Sequence, residues 1–209
     1  MNSDKKSSGF LDTARLRDRA KELLTERFSN PAARAMARVG FTPNRVTVAG
    51  GLIAVAAGAV AAKGRLPEAG ALVLAAGALD LVDGAMARLT GKQSKFGAVL
   101  DSTFDRLGEA AVLFGLLALY SGLGQTPYVL LVFAAMFGSV LVSYIKARAE
   151  GEGIDCNVGL LSRGERVVLM GLGLLINQVP AVLLILTFFS YVTAAQRLWR
   201  VKKATDRTT

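Results

Sequence analysis

Asp80-Leu-Val-Asp83-Gly84-Ala-Met-Ala87-Arg88, followed after eight residues by Gly97-Ala-Val-Leu-Asp101-Ser-Thr-Phe-Asp105, is the stretch that decides how this chain folds. Asp80 and Asp83 are three apart and Asp101 and Asp105 four apart, so each pair shares one face of a helix. Between them, Leu89 to Phe96 contains Gly91, Lys92, Gln93, Ser94 and Lys95, which suits a tight turn between antiparallel helices. Both carboxylate pairs then fall at the same end of the two helices. Gly77, Gly84, Ala87, Gly97 and Gly108 are small enough for the backbones to approach, and Gly84 leaves room beside the carboxylates for a substrate.

The flanking sequence says where these helices lie. Of the 209 residues, 52% are hydrophobic, above the share a soluble domain needs. Val46 to Ala62, Ala110 to Ile145 and Val167 to Gln196 contain no charged residue. The second run is broken at Ser121–Pro127 and the third at Asn177–Pro180, so each reads as two spans joined by a turn. The expected fold is an all-α integral membrane protein with six transmembrane helices. The spans are expected near residues 44–62, 67–89, 97–120, 128–149, 160–176 and 179–199. An N-terminal amphipathic helix over Phe10–Phe28 is expected to lie in the membrane interface. The alternative for that segment is a solvated helix packed on the domain.

Net charge is +9, and its placement gives the orientation. Ten Lys or Arg precede or include Arg45, three lie in Arg88–Lys95, four in Lys146–Arg166 and five from Arg197 onward, against only Lys63 and Arg65 in the opposite turns. The positive-inside rule then puts both termini in the cytoplasm and Trp199 near the interface. Basic charge thus reads as membrane orientation and not as nucleic-acid binding, and no nucleic acid is expected as a partner. With no histidine and one cysteine, Cys156, an intrachain disulfide and a His/Cys metal cluster are both excluded.

Four converging carboxylates in a membrane need compensating cations. Arg88 and Arg106 offset part of the charge, and divalent metal does so better. An all-oxygen donor set favours Mg²⁺ or Mn²⁺ over Zn²⁺. Interhelical ion pairs, or helix-end carboxylates reaching interfacial water, are the plain alternative.

The spacing D-x2-D-G-x2-A-R-x8-G-x3-D-x3-D resembles the signature of the CDP-alcohol phosphotransferases, and all eight fixed positions are matched. The resemblance covers nearly the whole chain. It implies two metal ions, release of CMP, and Asp80, Asp83, Asp101 and Asp105 as metal ligands, with Asp105 also the candidate general base on the acceptor hydroxyl. It implies contacts to the CDP-diacylglycerol donor from Gly84, Arg88 and Ser94, and from Pro43, Asn44, Arg45, Val46 and Thr47 at the start of the first span. Pro43-Asn44 is equally a good helix start.

Lys146, Arg148, Arg163 and Arg166 cluster in one cytoplasmic turn region. They suit an anionic acceptor, because guanidinium groups bind phosphate bidentately; the alternative is positive-inside charge alone. The pattern as a whole is similar to the actinobacterial phosphatidylinositol-phosphate synthase branch of the family. This implies inositol phosphate as acceptor, phospholipid biosynthesis in the cell membrane, and a homodimer. Glycerol 3-phosphate, giving phosphatidylglycerol phosphate, is the second acceptor to consider. A metal or phosphate transporter built on intramembrane carboxylates is the reading from another class, although the acidic residues gather at one end. The chain is expected to divide into a disordered 1–9, an interfacial helix and lead-in over 10–43, the six-helix catalytic domain over 44–200, and a tail over 201–209.

Overall fold

The computed structural model describes residues 29–206, and these form helices joined by turns, with no strand among them. The helices are α1 (Asn30–Arg38), α2 (Pro43–Ala62), α3 (Leu66–Leu89), α4 (Lys95–Gly122), α5 (Thr126–Gly151), α6 (Arg163–Leu175) and α7 (Val179–Thr205). The expected interfacial helix over Phe10–Phe28 lies outside the described residues.

Among the described residues four helices, α2, α3, α5 and α7, are long and apolar enough to cross a membrane, at 20, 24, 26 and 27 residues. At about 1.5 Å per residue, 20 residues span the roughly 30 Å hydrocarbon core. Two of the six expected spans do not meet that measure, for different reasons. Helix α4 is 28 residues long, but Lys95, Asp101, Asp105, Arg106 and Glu109 put at least three charges in any 18-residue window. Helix α6 has only 13 residues, or about 20 Å. It starts at Arg163, three residues later than its apolar pattern suggests, because Ser162 and Glu165 form a capping box there.

The turns follow from local chemistry. Helix α3 stops at Gly91 (φ +65°), where the Lys92 N–H reaches the Ala87 carbonyl and the Gly91 N–H that of Arg88. This is a Schellman closure, and its left-handed residue is cheapest as glycine. Asn177 (φ +56°) makes the same stop after α6, with the Gln178 N–H on the Gly173 carbonyl. Ser94 then caps α4 by accepting the Gly97 N–H at 2.9 Å.

The described residues fall into two compact units. One comprises residues 29–48 and Ala78–Asp101, with Ala33, Val46, Val82, Ala85 and Met86 as its buried core. The other comprises Ala49–Gly77 and residues 102–206, and its core includes Ala57, Val73, Leu116, Val132, Leu174 and Leu183. Within this second unit α7 packs on α5 and α6. Glycines bring helices nearly into backbone contact: Gly58 and Gly115 join α2 to α4, and Gly70 and Gly171 join α3 to α6. Large apolar side chains such as Leu52, Phe114, Leu130 and Phe188 are exposed, as lipid-facing residues are.

The segment between α5 and α6 is tied to α7. Arg197, buried, donates its Nε–H to the Val158 carbonyl at 3.0 Å and an Nη1–H to the Val142 carbonyl. The Cys156 thiol lies 3.9 Å from the Arg197 carbonyl, and Gly159 leaves space that Thr193 fills.

A Cβ added at Gly115 would meet the backbone of Gly58, whereas one at Gly122 would meet nothing within 4 Å. Gly115→Ala is therefore expected to cost about 1–3 kcal/mol through overpacking. Gly122→Ala should be near neutral. Thermal unfolding of the two purified variants in detergent checks this, and equal midpoints would refute the close approach.

Candidate metal and phosphate site

The carboxylates sit where α3 and α4 carry them. Asp80 and Asp83 lie one turn apart near the end of α3; Asp101 and Asp105 lie one turn apart in the unbroken helix α4. Asp80 and Asp101 offer carboxylate oxygens within 4.8 Å of each other, and so do Asp101 and Asp105. All three are partly buried. Oxygens on one ion at about 2.1 Å stand at most about 4.2 Å apart, so a group gathered within 4.8 Å lies near that limit and would close slightly around a divalent cation. The donor set is oxygen only, the chemistry of Mg²⁺ and Mn²⁺.

Asp83 is not part of that group. It is buried, and its Oδ2 lies 2.6 Å from the Thr47 hydroxyl of α2. That hydroxyl also lies 3.1 Å from the Pro43 carbonyl. One hydroxyl proton serves one acceptor at a time, and the shorter, charge-assisted contact is the stronger. Thr47 thus fixes the direction of the Asp83 carboxylate from a neighbouring helix.

The other sequence-selected donor residues surround the same helix ends. Gly84 has open space: an added Cβ would meet only Arg88 Nη1, at 3.5 Å. Arg88 is exposed. Gly97 is tight, since a Cβ there would lie 3.0 Å from Ser94 Oγ and 3.2 Å from Asn44 Oδ1. Ser94 has a structural task as the cap of α4, alongside any contact to nucleotide. Of the lead-in residues, Pro43, Val46 and Thr47 are buried, Asn44 is half-buried and Arg45 is exposed.

The four basic residues divide into two kinds. Lys146 pairs with Glu150 at 3.5 Å on α5, and Arg148 with Glu152 just past its end at 2.6 Å; Lys146 is partly exposed and the other three are exposed. Such pairs are worth about 0.3–0.5 kcal/mol and release their cation readily. Arg163 and Arg166, from α6, instead reach carboxylates of α4. Arg163 forms an ion pair with Asp105. Arg166, 4% exposed, is held by Glu109 at 2.9 Å. Sequence reading passed over Glu109, whose only signal is its place one turn beyond Asp105. It also took Thr47 as a nucleotide contact, with no sign of its bond to Asp83.

Removing the Thr47 hydroxyl in Thr47→Val should lower divalent-metal affinity by about tenfold or more. Metal titration of activity in the purified variant checks this. An unchanged half-saturating concentration would separate Thr47 from the metal site.

Comparison with known proteins agrees with the carboxylate pattern. Residues 41–201 match the family described as CDP-alcohol phosphatidyltransferase. The chain is 38% identical over 171 residues to the archaetidylinositol phosphate synthase of Pyrococcus horikoshii, covering 81% of this chain and 88% of that one. It is 37% identical over 185 residues to the phosphatidylinositol phosphate synthase of Mycobacteroides abscessus, covering 84% of each. The crystal structure of the Mycobacterium tuberculosis phosphatidylinositol phosphate synthase with CDP-DAG bound superposes with a TM-score of 0.77 at 34% identity, covering 84% of this chain and 94% of that one. The same enzyme in complex with manganese and citrate gives 0.76 at 34% identity, covering 83% and 88%. A matched domain over residues 41–201, containing every fixed position of the aspartate motif, settles the lineage: this chain belongs to the CDP-alcohol phosphatidyltransferase family.

Proposed function

We propose that this membrane enzyme transfers the phosphatidyl group of CDP-diacylglycerol to inositol phosphate and releases CMP, a step of phospholipid biosynthesis. The observation that carries the reading is the carboxylate set of α3 and α4 in a chain whose relatives are inositol phosphate-lipid synthases. One of them is known with CDP-DAG bound.

Asp80, Asp83, Asp101 and Asp105 would hold two Mg²⁺ ions, with Mn²⁺ as the alternative. When bound, such ions would supply positive charge to neutralise the pyrophosphate and the leaving CMP. Asp105 accepts the proton of the attacking inositol hydroxyl as its oxygen bonds to the diacylglycerol phosphorus. The bond from that phosphorus to the oxygen of CMP breaks. Gly84 admits the nucleotide, Arg88 and Ser94 contact its phosphates, and Pro43–Thr47 line the cytidine. Lys146, Arg148, Arg163 and Arg166 receive the acceptor's phosphate. Six spans are assigned by counting α4 and α6 with the four long helices. Both termini are then cytoplasmic, and the enzyme is assigned as a homodimer in the cell membrane.

The deciding experiment supplies purified protein with CDP-diacylglycerol, Mg²⁺ and one acceptor at a time. CMP release is expected with inositol phosphate. A preference for glycerol 3-phosphate would overturn the acceptor and leave the transferase reading intact. No CMP with any alcohol would favour a transporter. In the same assay Asp105→Asn is expected to lower turnover by about 10²- to 10⁴-fold with donor binding largely kept. Near-normal turnover would remove Asp105 as the base.

A further inference from the structure

Glu109 and Arg166 form a buried pair that the motif does not contain. Glu109 lies on α4 one turn beyond Asp105, and Arg166 lies on α6 one turn beyond Arg163. The Nε–H of Arg166 meets Glu109 Oε1 at 2.9 Å and an Nη2–H meets Oε2 at 3.3 Å. The side chains are 4% and 18% exposed. A buried arginine needs a counter-charge, and a single contact would supply it. Two parallel bonds do more, because they fix the plane of the guanidinium.

A guanidinium carries five N–H donors, and this pair uses two of them along the Nε–Nη2 edge. The remaining three are on Nη1 and Nη2. One from each forms a second fork, which matches two oxygens of a phosphate. Glu109 therefore leaves Arg166 able to grip a second anion while setting the direction from which it does so.

We infer that Glu109 is a positioning residue for the acceptor: it locks Arg166 so that its outer edge takes the phosphate of a phosphorylated alcohol. The inference rests on the acceptor site proposed above. It assigns Glu109 to acceptor specificity and gives it no contact with donor, metal or reacting atoms.

The test measures KM for inositol phosphate and for CDP-diacylglycerol in the full-length enzyme carrying Glu109→Gln, Glu109→Asp, Arg166→Gln, or both Gln replacements together. Glu109→Gln is expected to raise KM for inositol phosphate about tenfold or more, with KM for CDP-diacylglycerol within about twofold. Glu109→Asp should recover part of the loss. Glu109→Gln added to Arg166→Gln should cost nothing further, since the two act as one unit. Glu109→Asp separates this role from simple charge balance, because it keeps the charge and withdraws the two-bond fork. Balance alone predicts a normal KM for inositol phosphate in Glu109→Asp, whereas positioning predicts a raised one. Should Glu109→Gln fail to fold, Glu109→Asp decides. Unchanged KM in folded Glu109→Gln, or normal KM in Glu109→Asp, overturns the inference. If Arg166→Gln raises KM and Glu109→Gln does not, positioning alone falls. If Arg166→Gln leaves KM unchanged, the acceptor site itself falls.

Discussion

Ionised carboxylates are costly inside a bilayer unless something cationic stands beside them, and two carboxylates close together cannot both stay charged without it. Helices α3 and α4 carry four aspartates in 26 residues, from Asp80 to Asp105. Much of the surrounding structure answers that constraint. Asp83 is buried and takes a hydroxyl from Thr47. Asp105 takes a guanidinium from α6. Asp80 and Asp101 stand close enough for a cation to serve both. The five-residue turn after α3 is closed by Gly91 and restarted by Ser94.

The same constraint organises the link between α4 and α6. Asp105 and Glu109 are one turn apart on one helix; Arg163 and Arg166 are one turn apart on the other. Two ion pairs therefore stack along a single seam. Arg163 and Arg166 are not loose surface charge of the kind that only sets orientation. Lys146 and Arg148 are nearer to that description, since each pairs with an exposed carboxylate one turn further along the chain.

What the sequence made legible is what helices encode locally. The carboxylate spacing reports shared faces directly, and uncharged runs broken by Gly and Pro report where α5 and α7 start; α7 continues to Thr205, beyond the expected end at 199. The helices at the site are less legible, because function and span compete for the same residues. Helix α4 carries too much charge to look like a span, and the capping box at Ser162 shortens α6. Pairings over long separations leave no periodic trace at all. Glu109 finds Arg166 57 residues away, and Thr47 finds Asp83 36 residues away. Motif spacing identified the aspartates without showing what orients them.

Arg197 has a consequence for biosynthesis. It closes the segment ahead of α6 by binding Val158, 39 residues earlier, and Val142, 55 residues earlier. A nascent chain presents those carbonyls first and must wait for α7 to be made before they are bridged. Until the last helix is inserted, the backbone leading into Arg163 lacks the clamp that shapes it. Helices α2 to α5, which supply all four aspartates, can therefore be complete in the membrane while the basic side of the site is still unfinished.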